Sequence, residues 1–218
     1  MKKKKYTFID LFAGIGGFEL AFRSINVETT LMCEIDDIAK HVLSTNIPNV
    51  PIVEDVCSLD TIPNDTDILC AGFPCQDLSS VGGKQGLAGT RSSLVKEVFR
   101  ILQSKKTEWV VFENVSFMLR LNNGEAIHTI VEELERLGYN WAYRTIDSIS
   151  FVPQHRCRVF VIASLHHDPR HVILSDDVKD YFNKVDYSCF KNPIGFYWTE
   201  GKNALGMIND GIPTLKAG

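Results

Sequence analysis

The sequence has no C-x-x-C pair, and its six cysteines, Cys33, Cys57, Cys70, Cys75, Cys157 and Cys189, follow no metal-ligand spacing. A zinc knuckle is therefore not expected, and without an export signal the thiols are expected to be reduced, as in a cytoplasm. No stretch approaches the length of an apolar membrane span. The only charge run, Lys2 to Lys5, is not followed by the apolar segment of a secretory signal. Excess positive charge is missing too: 23 Lys and Arg against 27 Asp and Glu give a formal net charge of -4. That disfavours a protein gripping nucleic acid by its phosphates alone, but leaves room for a local basic cleft built from Lys84, Arg91, Arg156 and Arg158. With neither repeats nor low-complexity linkers, 218 residues at 44% hydrophobic content predict one substantial core.

What is present alternates between strand-like and helix-like segments. Tyr6 to Phe12 is a short apolar run that stops at Gly14, Gly16 and Gly17, and Phe18 to Ile25 then has helical spacing. Glu28 to Glu34 predicts a second strand, and Asp36 is placed to cap a helix through about Ser44. Asp67 to Ala71 and Trp109 to Phe112 predict buried strands flanking a helix over Ser92 to Leu102. Glu125 to Leu137 carries Ile127, Ile130, Val131, Leu134 and Leu137 on one face, with Gly138 as its stop. Trp141 to Ile146 and Arg158 to Ala163 supply two more strands, and no element is expected beyond about His166. The alternation predicts an α/β fold with a doubly wound, mostly parallel sheet, whose ligand crevice lies at the carboxyl ends of the strands.

Four constellations fall near those ends. Gly14 and Gly16 open a helix, and Glu34 lies 20 positions after Gly14, a nucleotide-type spacing. The pyrophosphate fingerprint G-x-G-x-x-G needs glycine where this chain has Glu19. S-adenosyl-L-methionine carries no phosphate, and its cations tolerate acids. Next, Gly72-Phe73-Pro74-Cys75-Gln76 leads a long polar loop containing Ser79, Ser80, Lys84 and Gln85. By residue type alone Cys75 is a small buried hydrophobe, whereas a stiffened loop beyond a strand end favours a nucleophile. Glu113 ends an apolar run, where it serves as a helix cap or as a proton-handling partner of Cys75. Gln154-His155-Arg156-Cys157-Arg158, if extended, points both arginines to one side, toward solvent or toward a base or phosphate. His166, His167, Asp168, His171, Asp176 and Asp177 follow no metal spacing and are expected to form a solvated loop.

In order and spacing, Phe8-Ile9-Asp10-Leu11-Phe12-Ala13-Gly14-Ile15-Gly16-Gly17-Phe18, Glu34, Asp55, Gly72 to Gln76, Glu113-Asn114-Val115 and Gln154-x-Arg156-x-Arg158 resemble the motifs of the cytosine-5 DNA methyltransferase family, over roughly residues 6–163. The resemblance implies that Cys75 attacks carbon 6 of a cytosine flipped out of duplex DNA, that Glu113 holds the base at nitrogen 3 and supplies a proton, and that Arg158 contacts its carbonyl. It places Arg156 near Cys75 and the nucleotide's phosphate, Asn114 behind the Pro74-Cys75 turn, and Ser80, Lys84, Gln85 and Gln154 against DNA. It assigns S-adenosyl-L-methionine to a pocket of Phe12, Ala13, Gly14, Gly16, Glu34, Ile35, Asp55, Val56, Pro74 and Leu94, with no metal.

Family members continue into a target-recognition region and two further motifs, and neither late motif occurs here. Residues 1–165 are expected to form the cofactor-binding catalytic domain, and residues 166–218 a linker and the start of the recognition region, entered near Ile212 to Lys216. The sequence is therefore expected to be a fragment or one part of a split enzyme whose partner is a complementary C-terminal polypeptide, with a decayed gene product as the third alternative. The alternatives are a cofactor-binding module without catalysis, a methyltransferase acting on RNA and, with its fingerprint broken by Glu19, an NAD-dependent oxidoreductase.

Overall fold

The computed structural model describes residues 5–74, 94–175, 194–198 and 205–209. Cys75, Ser80, Lys84, Gln85 and Arg91 lie outside the described residues. The described elements are β1 (Tyr6–Leu11), α1 (Gly17–Phe22), β2 (Val27–Cys33), α2 (Asp37–Asn46), β3 (Ile52–Val53), β4 (Ile68–Ala71), α3 (Leu94–Ser104), β5 (Trp109–Val115), α4 (Glu125–Arg136), β6 (Asn140–Asp147), β7 (Cys157–Ser164), α5 (Arg170–Ile173), β8 (Ile194–Trp198) and β9 (Leu205–Asn209).

A seven-stranded sheet runs in the order β3-β2-β1-β4-β5-β7-β6, and β8 and β9 form a separate two-stranded sheet. The pairs from β3 to β5 are parallel, whereas β7 is antiparallel to both β5 and β6. The chain moves outward from β1 to β3 and then crosses to β4 on the other side of β1. That reversal opens a crevice beyond Leu11 and Ala71, the carboxyl ends of β1 and β4, where doubly wound sheets bind their ligands.

On one face, Ile9, Leu11, Leu69, Ala71, Val110 and Phe112 pack beneath Val98, Phe99 and Leu102 of α3 and Ile130 and Leu134 of α4. Phe112 lies edge-on to Phe99 and Phe73, at 5.9 Å and 5.7 Å between centroids. On the opposite face, Leu43 and Ile47 cover Met32 and Ala13, and Phe22 of α1 meets Phe8 edge-on at 4.9 Å. Farther along that face, Tyr6, Phe22, Val27, Ile68, Trp109, Val111, Ile162 and Val172 line an apolar groove of about 340 Å³. Sheets of parallel strands are ordinarily covered on both faces.

Local chemistry sets most element ends. Asp36 caps α2 by accepting from the Ala39 amide at 2.8 Å. Gly138, at φ 88°, ends α4, its amide donating to the Glu135 carbonyl and that of Tyr139 to Leu134. Several expectations need correction. The first helix stops at Phe22 and leaves Ala21 and Ile25 exposed instead of on a buried face. β5 runs through Val115 instead of ending at Phe112, because antiparallel β7 continues the ladder past the last β4 pair, Ala71 with Phe112. Glu113 and Asn114 thus lie inside a strand. The short β3, and beyond His166 the elements α5, β8 and β9, also stand where no element was expected.

Candidate active site

The backbone turns sharply after β1, with positive φ at Phe12 (62°), Gly14 (54°) and Gly16 (92°). A phenylalanine seldom adopts that region, and such strain concentrates at functional loops. A Cβ on Gly16 would lie 3.0 Å from Ile47 Cδ1 and 3.2 Å from Leu43 Cδ2, so only glycine lets α2 close on the loop. Glu34, directly after β2, accepts from the Gly14 amide at 2.6 Å and from the Asp36 amide at 2.8 Å. The Ala13 amide donates to the Cys33 carbonyl. Ile35 projects into solvent, 71% exposed. Asp55 caps a single turn over Val56–Ser58 by accepting from the Cys57 amide at 2.9 Å, and Val56 is buried. Leu94, at the start of α3, packs half-buried on the core.

Across the crevice, the Gly72 amide donates to the Leu11 carbonyl at 3.3 Å. A Cβ on Gly72 would lie 3.5 Å from Oε2 of Glu113 and 4.0 Å from the Phe12 carbonyl oxygen. Glu113, Gly72 and the glycine loop therefore converge. Buried Asn114 donates from Nδ2 to the Phe73 carbonyl at 2.9 Å, fixing the backbone that leads through exposed Pro74 to Cys75. Its Oδ1 accepts from the Val115 amide.

Because β7 runs opposite to β5, the start of β7 lies at the crevice. Arg158 sits there, its Nε 2.9 Å from Oε1 of Glu113 and its Nη1 donating to the Cys157 carbonyl at 2.9 Å. Burial, followed by the nearby charge of Arg156, pulls Arg158 below its ordinary pKa, and Glu113 opposes the shift. Arg156 itself is exposed and precedes the strand, so the expected extended alternation begins only at Cys157. The segment 148–156 is folded around Asp147, which accepts from the Ile149 and Arg156 amides at 3.2 Å and 2.9 Å and faces His155 Nδ1 at 3.1 Å. Burial raises the Asp147 pKa, but these partners outweigh it and hold the carboxyl below its usual range. Gln154 lies in this turn, its carbonyl accepting from Ser148 Oγ.

Two acids were not singled out from sequence. Asp147 is recognisable in retrospect from the Asp-Ser pair that starts its turn. Asp10 is an acid in an otherwise apolar strand. It is fully buried, among the described residues neither carboxyl oxygen has a hydrogen-bond partner, and burial, then Glu34 and Glu19, raise its pKa to about 8. His166 and His167 reach Glu108, and Asp168 pairs with Arg170. Among the described residues no group of three or more His, Cys, Asp or Glu side chains is placed to hold a metal ion, and no helix is long and apolar enough to cross a membrane.

The family model for C-5 cytosine-specific DNA methylase matches residues 6–195. The chain belongs to that family. Among methylase relatives it is 44% identical to the Type II methyltransferase M2.BsuMI of Bacillus subtilis (strain 168), covering 96% of this chain and 56% of the relative. To the Type II methyltransferase M.MspI of Moraxella it is 35% identical, covering 96% of this chain and 51% of the relative. It thus spans about half the length of the curated methylases it matches. The structure of S. pombe Dnmt2 methyltransferase superposes with a TM-score of 0.69 at 18% identity, covering 85% of this chain and 58% of that one, which shows the shared fold.

Proposed function

We propose that this chain is the cofactor-binding catalytic half of a DNA (cytosine-5-)-methyltransferase of a restriction-modification system, acting in a bacterial cytoplasm on duplex DNA. The observation that carries this reading is the convergence at one crevice of Glu34 on the glycine loop, the Asn114-fixed turn into Cys75, and the Glu113–Arg158 pair. The pocket suits S-adenosyl-L-methionine. Glycine-loop backbone, the acids Glu34 and Asp55, and the apolar Ile35, Val56, Pro74 and Leu94 offer partners for a cation, a ribose and an adenine. Bound there, it supplies an electrophilic methyl group on a sulfonium.

The chain's own residues do the rest. Cys75 as thiolate adds to carbon 6 of the flipped cytosine, and Arg156 favours its charged form. Glu113 holds nitrogen 3 and delivers a proton there as negative charge builds in the ring. Arg158, its guanidinium fixed at Nε and Nη1, holds the base carbonyl. Once carbon 5 is methylated, its proton passes to water, the 5,6 double bond reforms as Cys75 leaves as thiolate, and nitrogen 3 returns its proton to Glu113. Ser80, Lys84, Gln85 and Gln154 contact the DNA backbone. Flipping costs a few kcal/mol, which these contacts offset.

The apolar groove on the sheet face supports a second reading, that a complementary C-terminal polypeptide is needed for turnover. In both readings residues 1–165 form the catalytic domain, and 166–218 the linker and start of the recognition region. The test is an incubation of the chain with S-adenosyl-L-methionine and duplex DNA carrying 5-fluorocytosine, whose fluorine blocks the final elimination. An adduct on Cys75, lost in Cys75→Ala, is expected. Adduct formed only when the C-terminal half of a relative is added selects the second reading, and no adduct in either case refutes both.

A further inference from the structure

The reaction leaves one buried acid without a role. Asp10 lies in β1 two residues before the strained Phe12, opposite Met32 of β2 and Cys70 of β4. It is 0% exposed, and among the described residues neither carboxyl oxygen has a partner. An ionised carboxylate there would be a desolvated charge, so burial favours the neutral form. The groups facing it agree. Glu34 and Glu19 press on it with like charge, and Cys70 is a fully buried thiol whose own pKa is driven up by burial and then by Asp10. Glu19 is itself held beside Asp10's strand by the Thr29 hydroxyl and Arg23. A neutral, unpartnered acid packs less well in a strand than valine or isoleucine, so what it meets in another state matters.

We propose that Asp10 is the proton-linked counter-charge of the cofactor site, protonated in the empty protein and ionised when the cationic cofactor enters. This rests on the reading of the site as an S-adenosylmethionine pocket. That cofactor carries a sulfonium, an ammonium and a carboxylate, a net charge of about +1, whereas the demethylated product has a neutral sulfur. Glu34 is bonded to the Gly14 amide of the glycine loop, Glu34 and Glu19 both act on Asp10 with like charge, and a net positive ligand relieves all three. Uptake then sends the Asp10 proton to solvent, and methyl transfer, by removing the sulfonium charge, takes back part of the driving force. Asp10 thereby makes the site prefer the loaded cofactor to the spent one, most strongly toward alkaline pH.

The experiment is isothermal titration of the full 218-residue chain with S-adenosylmethionine and with S-adenosylhomocysteine, from pH 6 to 9, in phosphate and in Tris. The two buffers' different ionisation enthalpies report the protons released. The amino group of each ligand titrates near about 8, so the difference between the two ligands isolates the sulfonium. Affinity for S-adenosylmethionine should rise by up to about tenfold per pH unit below the Asp10 pKa and then level off, with a smaller rise for S-adenosylhomocysteine. Asp10→Asn should abolish the difference in slope. Should that variant not fold, Glu19→Gln, which keeps an acceptor for Thr29, should shift the levelling-off to lower pH. Equal proton release for both ligands, or an Asp10→Asn profile matching the wild type, overturns the proposal. Failure of either ligand to bind at any pH would instead overturn the cofactor reading beneath it.

Discussion

Nε of Arg158 lies 2.9 Å from Oε1 of Glu113, although the two residues stand on strands that run in opposite directions. They are not opposite one another in the ladder, where Glu113 pairs with Phe160 and Arg158 with Val115. The contact is therefore a diagonal across one sheet face, at the mouth of the crevice. Neither group is free to swing away without leaving a partly buried charge behind.

That pairing predicts coupling. Glu113→Gln and Arg158→Gln should each destabilise the chain, and the double variant should cost less than their sum, with an interaction energy of about 1–2 kcal/mol. Urea denaturation of the four proteins measures it. Additive effects would mean that the contact contributes no pairwise stability.

Asn114 bonds the Phe73 carbonyl in a fully enclosed position. Asn114→Ala should cost about 1–3 kcal/mol, because the carbonyl loses its partner away from water. It should also slow adduct formation at Cys75 by more than the loss of folded protein explains, which a burst assay on folded protein separates. A rate unchanged per folded molecule would remove Asn114 from the positioning of the turn.

At Gly16 the left-handed backbone and the close approach of Leu43 and Ile47 act together. Gly16→Ala should destabilise by about 1–3 kcal/mol and loosen the packing of α2 on the loop. Glycine-like stability in the alanine variant, by thermal melting, would contradict that geometry.

Asp10 also predicts a pH dependence of the empty protein. Between its ordinary value of 3.8 and about 8, the folded state holds a proton that the unfolded state has released. Folding takes up a proton in that window, so this group's contribution is fully present below the unfolded value and is lost as pH rises toward 8, by at most about 1.4 kcal/mol per unit. Melts of Asp10→Asn and wild type from pH 5 to 8.5 should diverge in slope accordingly. Parallel curves would place the acid in a more polar setting than its burial implies.

Much of this was legible in the sequence because it is written in local chemistry. Tyr6 to Phe12 reads as a strand from its apolar, β-branched run, which the structure ends one residue earlier at Leu11, Gly138 stops a helix because it accepts positive φ, and Asp36 caps because its carboxylate reaches Ala39. Glu34 was legible from its distance to Gly14. What was hidden depends on partners far along the chain. Periodicity carries no direction, so nothing in Cys157 to Ser164 announces that this strand enters reversed, nor that its pairing lengthens β5 past Phe112. The burial of Asp10 is invisible for the same reason, since it requires β2, β4 and α1 to close around one residue. Cys75 and its long loop, Ser80, Lys84 and Gln85 lie outside the described residues, and their roles rest on the residues that lead up to them.

The reversed β7 also fixes where new ends are tolerated. Its first residue lies at the crevice and its last, Ser164, pairs with Trp109 at the start of β5, so over its eight residues the strand carries the chain about 25 Å away from the chemistry. A break, fused tag or circularly permuted terminus placed just after Ser164 falls on the rim of the sheet remote from the Glu113–Arg158 pair. The architecture therefore offers, at the far end of β7, a seam remote from the Glu113–Arg158 pair.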